Sequence, residues 1–148
     1  MQRILIIKIG ALGDVLRTTC ILPGLKQKFP GCTISWLTAT SAAPLLDNNP
    51  LVDELLLCEH LDNNRPVIPL AYDLAINLDD DEWACDLTPA LDARKLVGAY
   101  TSGSTRNYTP DSATWFDMSL ISQFGKSRAD QLKKTNRRTY PDLLFDIL

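Results

Sequence analysis

Residue types on which metal and hydrolytic sites depend are scarce in this sequence of 148 residues. It holds one histidine, His60, and four cysteines, none of them in a Cys-x-x-Cys pair. Zinc sites need closely spaced Cys and His ligands, so we expect no zinc or other transition-metal site. The cysteines lie mostly in apolar segments, as buried thiols in a reducing compartment do. No serine or cysteine stands in a nucleophile-elbow sequence, so a hydrolytic triad is not indicated.

The chain also lacks a charge excess and a long apolar run. Fifteen Lys and Arg against 18 Asp and Glu give a net charge of -3, so a nucleic-acid partner is not expected. The apolar start ends at Lys8, which is too early for a signal peptide, and no stretch approaches membrane-spanning length. We therefore expect a cytoplasmic chain with the single core that this length allows.

What the sequence does contain is an alternation of strand and helix patterns. The β-branched run over 4–9, broken only by Lys8, predicts a strand buried on both faces. Apolar spacing over 15–29 predicts a first helix that bends near Pro23. Further strands are predicted over 32–37, 51–57, 72–78 and 95–100, and helices over 41–48 and 82–91. This order predicts an α/β, Rossmann-like, doubly wound, mostly parallel sheet with helices on both faces.

Three segments fall outside that alternation. Residues 60–69 predict a polar loop, and the Ser-, Thr- and Gly-rich stretch 101–112 predicts either a surface loop or a mobile lid. Residues 139–148 begin with a capping box and an early proline, which predicts a helix. An apolar helix of about two turns is marginal alone, so we expect it to pack or to continue.

Residues 4–19 read ILIIKIGALGDVLRTT, and this run resembles the opening of glycosyltransferase family nine, which includes the ADP-heptose:lipopolysaccharide heptosyltransferases. The strand, the glycine, the Gly-Asp pair and the Thr-Thr pair follow in the same order. Further matches are Phe29-Pro30, ISWL at 34–37, APLL at 43–46, Asn49-Pro50, Val52-Asp53-Glu54 and YDLAINL at 72–78. The resemblance covers roughly the first two thirds of the chain. It departs at Asp79-Asp80-Asp81-Glu82, where family members often carry a Gln-Gly type sequence.

The resemblance implies a two-domain enzyme of the GT-B type, with two Rossmann-like halves around a cleft. The first half contributes acceptor contacts and a catalytic aspartate, and the second binds most of the nucleotide-sugar donor. Residues 1–138 would then form the N-terminal, acceptor-side domain, and 139–148 would begin a helix leading toward an absent donor-binding domain. The implied reaction is inverting transfer of heptose from ADP-heptose to a lipopolysaccharide core acceptor, with this chain alone inactive or nearly so.

A non-catalytic Rossmann-like ligand-binding or interaction module is the alternative, because a fold does not settle a function. The two hypotheses differ most at Asp14, which follows the first strand at the edge where ligands bind to doubly wound sheets. Spacing alone favours a helix cap there, since Asp is a preferred N-cap residue. The family resemblance instead implies that Asp14 is the catalytic base that takes the proton from the acceptor hydroxyl.

Four residues are candidates for substrate binding. Gly10 and Gly13 permit tight backbone geometry, and amides near them at the helix start can face an anionic group. They do not form a G-x-G-x-x-G fingerprint, and no acidic ribose ligand follows the second strand, so we expect no NAD or other cofactor. Arg17 suits an acceptor phosphate or simple solvation. Asp79, in the acidic run 79–82, suits acceptor hydroxyls or a cation, although acidic residues entering a helix are also expected from capping.

A basic cluster of Lys133, Lys134, Arg137 and Arg138 lies near the carboxyl end. It favours peripheral contact with an anionic inner-membrane surface, and a solvated linker face explains it equally well. The partners implied by the resemblance are a lipopolysaccharide core or lipid A-linked acceptor and a nucleotide sugar, the latter bound through the absent domain.

Overall fold

The computed structural model describes residues 1–61, 68 and 70–148, and within them the chain forms a six-stranded sheet. The strands are β1 Arg3–Ile7, β2 Thr33–Thr38, β3 Glu54–Leu57, β4 Tyr72–Asn77, β5 Ala93–Ser102 and β6 Thr105–Tyr108. Their order across the sheet is β3-β2-β1-β4-β5-β6, with β1 to β5 parallel and β6 antiparallel to β5. The predicted α/β, Rossmann-like fold class is confirmed.

Helices cover both faces of the sheet. They are α1 Leu12–Thr18, α2 Ile21–Lys28, α3 Glu82–Leu87, α4 Ala113–Phe116, α5 Lys126–Thr135 and α6 Tyr140–Phe145. Successive side chains of a strand point to opposite faces. Ile4 and Ile6 of β1 therefore pack in the core with residues of α1, α2 and α6, and Leu5 and Ile7 pack with residues of α3. β1 is thus buried on both sides, as its β-branched run predicts.

The first predicted helix is in fact two helices, so the prediction of one helix bent near Pro23 is wrong. The break lies at Thr19 and Cys20, and Pro23 is the third residue of α2. Proline has no N–H to donate to the carbonyl four residues back, and its ring would clash with that carbonyl. The carbonyl of Thr19 accepts instead from the amide of Leu22 at 3.1 Å. The chain therefore breaks four residues before the proline, which falls in a first turn where no N–H partner is needed.

The stretch 101–112 is neither of the two predicted forms, a surface loop or a lid. β5 continues to Ser102, turns through Gly103 and Ser104, and returns as β6 in register with it, with Ser102 opposite Thr105. Gly103 has a φ of 64°, which two-residue hairpin turns favour and which glycine adopts without strain. The polar composition conceals a hairpin because backbone pairing, rather than apolar burial, holds it together.

Two further helices are shorter than predicted. Only a 3-10 turn over Ala43–Leu45 forms within 41–48. The helix predicted over 82–91 ends at Leu87 and gives way to a 3-10 turn over Thr88–Ala90, where Pro89 interrupts the α-helical bonding. The predicted loop over 60–69 lies mostly outside the described residues, and His60 itself is exposed in a 3-10 turn.

The predicted carboxy-terminal helix is confirmed as α6. Its capping box forms between Thr139 and Asp142, and Pro141 stands in its first turn. Leu143, Leu144 and Ile147 are buried, the last two in the same cluster as Ile4 and Ile6. No helix among the described residues combines the length and the apolar character needed to cross a bilayer.

Gly98 of β5 is required by backbone packing. Its φ is 112°, and a Cβ there would lie 1.9 Å from the carbonyl oxygen of Asn77, its partner in β4. The Gly98 backbone is held in place, because the hydroxyl of Thr109 accepts from its amide and the amide of Thr109 donates to its carbonyl. Only a residue without a side chain fits this position.

We predict that Gly98→Ala lowers the free energy of unfolding by about 3 kcal/mol or more, since it combines backbone strain with a clash. Gly103→Ala is the matched control: it also has a positive φ, but a Cβ there meets nothing within 4 Å. We expect it to cost about 1 kcal/mol. Urea denaturation of the three proteins measures the difference, and equal losses in the two variants would contradict the role given to the Asn77 carbonyl.

Candidate functional site

The candidate site lies at the carboxyl ends of β1 and β4. From β1 the chain first builds outward to β2 and β3, and then returns to place β4 on the other side of β1. Loops diverge at such a switch in strand order, and ligands of open α/β sheets bind in the resulting crevice. Here the crevice is formed by residues 8–14 after β1 and residues 78–82 after β4.

The carboxylate of Asp79 joins these two loops. Its Oδ2 accepts hydrogen bonds from the amides of Ile9 at 2.9 Å and Gly10 at 3.4 Å, and lies 3.4 Å from the ammonium of Lys8. Its Oδ1 accepts from the amide of Asp81 at 3.1 Å. The side chains of Lys8 and Asp79 are only 9% and 7% exposed, so this is a buried ion pair. The observed contacts of Asp79 are thus with the protein, and its substrate-binding role stays a prediction.

Asp80 and Asp81 of the acidic run also make contacts within the protein. Asp81 is the N-cap of α3, and its carboxylate accepts from the amides of Trp83 at 2.9 Å and Ala84 at 3.4 Å. The capping interpretation is therefore confirmed at Asp81. The backbone carbonyl of Asp80 accepts from the guanidinium of Arg106 at 2.6 Å, which brings the β5–β6 hairpin to the edge of the crevice.

Asp14 is the third residue of α1 and does not cap it. The N-cap is Ala11, which makes no side-chain capping bond, and the carboxylate of Asp14 instead forms an ion pair with Arg17 one turn along. The alternative in which Asp14 is a helix cap is therefore wrong. The carboxylate is left at the mouth of the crevice, paired with a cation and open to a ligand.

Arg17 is held from the opposite side by α6. Its guanidinium lies 4.6 Å from the ring centroid of Tyr140, and its hydrogen bond with Asp14 raises the pKa of the guanidinium. Trp115 meets the Tyr140 ring edge-on, with 4.7 Å between centroids. Neither aromatic residue is indicated by a pattern in the sequence. The capping box predicts where α6 begins, but no local pattern indicates that Tyr140 meets a helix more than 120 residues earlier.

Two adjoining clefts open at this place. The first, which we call the aromatic cleft, measures about 410 Å³ and is bounded by Arg17, Trp115, Lys133, Asn136 and Tyr140. The second, the loop cleft, measures about 440 Å³ and is bounded by Gly10, Asp79, Asp81 and Arg106. The two share the residues Lys8, Asp14, Asp80 and Leu120. Each has the size of a small-molecule site, and Asp14 lies where they meet.

The fold therefore brings together Gly10, Asp14, Arg17 and Asp79 of the predicted site. Gly13 is exposed on α1 beside Asp14. A Cβ at Gly10 or Gly13 would meet nothing within 4 Å, and neither glycine has a positive φ, so the protein's own packing does not require them. The amide of Gly10 already donates to Asp79. Whether either glycine contacts a substrate stays a prediction.

The basic cluster near the carboxyl end is divided among different surroundings. Lys133, in the last turn of α5, borders the aromatic cleft, whereas Lys134 and Arg137 are exposed. Arg138 pairs with Asp146 of the following helix. Only part of the cluster is therefore available to an external anionic group.

No protein-family model matches the chain, and no curated protein matches it. Among solved structures, E. coli heptosyltransferase WaaC with ADP is 22% identical with a TM-score of 0.55, over 62% of this chain and 33% of that one. A glycosyltransferase of family 9 from Veillonella parvula is 24% identical with a TM-score of 0.56, over 66% and 31%. The chain thus spans about a third of the structures it matches. The predicted likeness to family nine is confirmed at the level of the fold.

We predict that Asp79→Asn lowers the free energy of unfolding by about 3 kcal/mol, because it leaves the buried ammonium of Lys8 without its counter-charge. Adding Lys8→Met should recover part of that loss, since the double variant buries no charge. Asp80→Asn is the control, because Asp80 contacts Arg106 through its backbone. Urea denaturation of the two single variants and the double variant measures the coupling free energy between Lys8 and Asp79. Strictly additive losses would contradict a stabilising ion pair.

Proposed function

We propose that this chain is the acceptor-side domain of an inverting glycosyltransferase of family nine, of the heptosyltransferase type. The observation that carries the proposal is the position of Asp14, whose carboxylate borders both clefts at the switch point of the sheet. The family-like run over 4–19 that contains Asp14 supports the same assignment. So does the likeness in fold to the two solved glycosyltransferases.

In the proposed reaction, an acceptor hydroxyl binds beside Asp14. The carboxylate takes its proton as the hydroxyl oxygen attacks the anomeric carbon of the donor sugar, and the bond from that carbon to the nucleotide diphosphate breaks on the opposite face. The configuration at the anomeric carbon is thereby inverted. Help from a general base of this kind is typically worth ~10²–10⁴-fold in rate.

The charges around Asp14 suit an anionic acceptor. Arg17 and Lys133 border the aromatic cleft together with Asn136, and cations of this kind form strong hydrogen bonds with phosphate or carboxylate groups. The rings of Trp115 and Tyr140 offer apolar surface in the same cleft. We infer a lipopolysaccharide core or lipid A-linked acceptor, with exposed Lys134 and Arg137 facing an anionic inner-membrane surface. ADP-heptose is the proposed donor, bound mainly by a part of the enzyme beyond these residues.

Asp14→Asn, made in the longest natural form of the protein, should reduce kcat about 10²–10⁴-fold while acceptor binding persists, because the amide cannot take the proton. Asp92→Asn is the matched control, since Asp92 is an exposed aspartate at the amino end of β5, across the sheet from the site. The rate of transfer is measured from the ADP released, and acceptor binding is measured by calorimetry. An unchanged kcat in a folded Asp14→Asn protein would remove Asp14 from the mechanism.

The 148-residue chain by itself should bind acceptor yet transfer heptose at a negligible rate. Transfer requires donor and acceptor to be oriented together, which contributes several kcal/mol, about 7–11 in well-ordered cases. Incubation with ADP-heptose and acceptor, followed by mass spectrometry of the acceptor, tests this expectation. Appreciable turnover by the chain alone would contradict it. Acceptor binding without transfer in the longest natural form would favour the non-catalytic ligand-binding module.

A further inference from the structure

The ion pair between Asp14 and Arg17 needs support from elsewhere to keep one geometry. The two side chains are 40% and 60% exposed, and they lie three residues apart on a short helix. Exposed pairs of this kind are screened by water and gain little from staying together. A carboxylate that acts as a base must nevertheless be held within hydrogen-bond reach of the hydroxyl it serves.

Tyr140 contacts two neighbouring residues of α1, Arg17 and Thr18. Its ring lies over the Arg17 guanidinium at 4.6 Å, a cation–π geometry. Its hydroxyl lies 3.2 Å from the hydroxyl of Thr18, which in turn donates its one proton to the backbone carbonyl of Asp14 at 2.6 Å. Thr18 can therefore only accept from Tyr140, so the phenol is the donor. A phenol is protonated near neutral pH, and burial raises the pKa of Tyr140 further above its ordinary value.

The ring of Tyr140 is itself fixed in place. Trp115 packs edge-on against it at 4.7 Å, and the capping box of Thr139 and Asp142 sets the start of α6 beside it. Leu143 and Leu144 bury the next turn of the helix. The aromatic partner of Arg17 is thus much less free to move than Arg17 or Asp14.

We propose that Tyr140 is a positioning residue for this site: its ring holds the Arg17 guanidinium, and through it the Asp14 carboxylate, where the two clefts meet. The inference rests on the proposed function only in taking Asp14 as the base. It makes α6 a part of the site, although α6 follows the residues of the family-like run by more than 120 positions. The hydrogen bond from the Tyr140 hydroxyl to Thr18 helps to orient the ring, and the face of the ring keeps the Arg17 guanidinium in position.

Arginine side-chain NMR of the chain tests the proposal directly. In the wild-type protein the Arg17 guanidinium should give separate, slowly exchanging Nη signals, because it is held on two sides. Tyr140→Leu should speed its rotation about fivefold, the factor expected from losing a cation–π contact at a part-exposed position. Tyr140→Phe should keep the slow signals, since it retains the ring. Phe145→Leu, which removes an exposed ring from the same helix, is the matched control and should leave Arg17 unchanged.

Backbone spectra establish that each variant is folded. If Tyr140→Leu does not fold, Tyr140→Met takes its place, because a flexible unbranched side chain fills the same space without a ring. Slow Arg17 signals in a folded variant without the ring would overturn the proposal. Fast signals in Tyr140→Phe would overturn it too, by moving the role to the hydroxyl.

Kinetics of the longest natural form separate this inference from the proposed function. Loss of the ring should lower kcat about tenfold even at saturating acceptor, because the Asp14 carboxylate is no longer held in place, and it should also raise the acceptor KM, because the ring lines the aromatic cleft. Tyr140→Phe should recover most of both losses. If the wild-type form transfers no sugar, the proposed function fails while the Arg17 measurement still decides the positioning role. If Asp14→Asn abolishes transfer but loss of the ring alters neither Arg17 nor kcat, the positioning role fails and the function stands.

Discussion

The buried carboxylate of Asp79 is the contact on which the rest of the site depends. β1 ends at Ile7, and beyond it the amides of Ile9 and Gly10 donate to this one side chain. The same carboxylate neutralises the ammonium of Lys8, which would otherwise be a lone charge inside the protein. The direction in which the chain leaves the sheet follows from these bonds, and with it the place where α1 starts and presents Asp14.

A second, independent constraint comes from α6. Its apolar side packs into the core beside α1 and α2, and this packing brings Tyr140 against Arg17. The aromatic cleft is consequently built from three parts of the chain: the segment after β1, the segment after β4, and the stretch from α4 to α6. Its lining carries charges of both signs, among them Asp14, Asp80, Arg17 and Lys133, which suits a ligand that carries both hydroxyl and anionic groups.

Errors in the sequence-based expectations fall where backbone geometry outweighs side-chain pattern. The hairpin after β5 is held by strand pairing and by a glycine turn, so its polar composition resembles a loop. The division between α1 and α2 lies at Thr19 because of a proline four residues later, and apolar periodicity runs straight across it. Asp14 is a residue type that commonly caps helices and lies near the start of α1, but the N-cap of α1 is Ala11. Each error concerns bonds made by the main chain, which side-chain periodicity does not report.

The amino-acid sequence alone indicated the class of fold, the central place of the first strand and the nearness of Asp14 to a sheet edge. It did so because burial on two faces demands an unbroken β-branched run and because parallel strands end at a common edge. The surroundings of Asp14, by contrast, arise only when the chain has folded. The partners Arg17, Tyr140 and Trp115, and the tie from Asp79 to the first loop, depend on how helices pack and how loops meet across the sheet. Such contacts join residues more than 120 positions apart, and no local pattern encodes them.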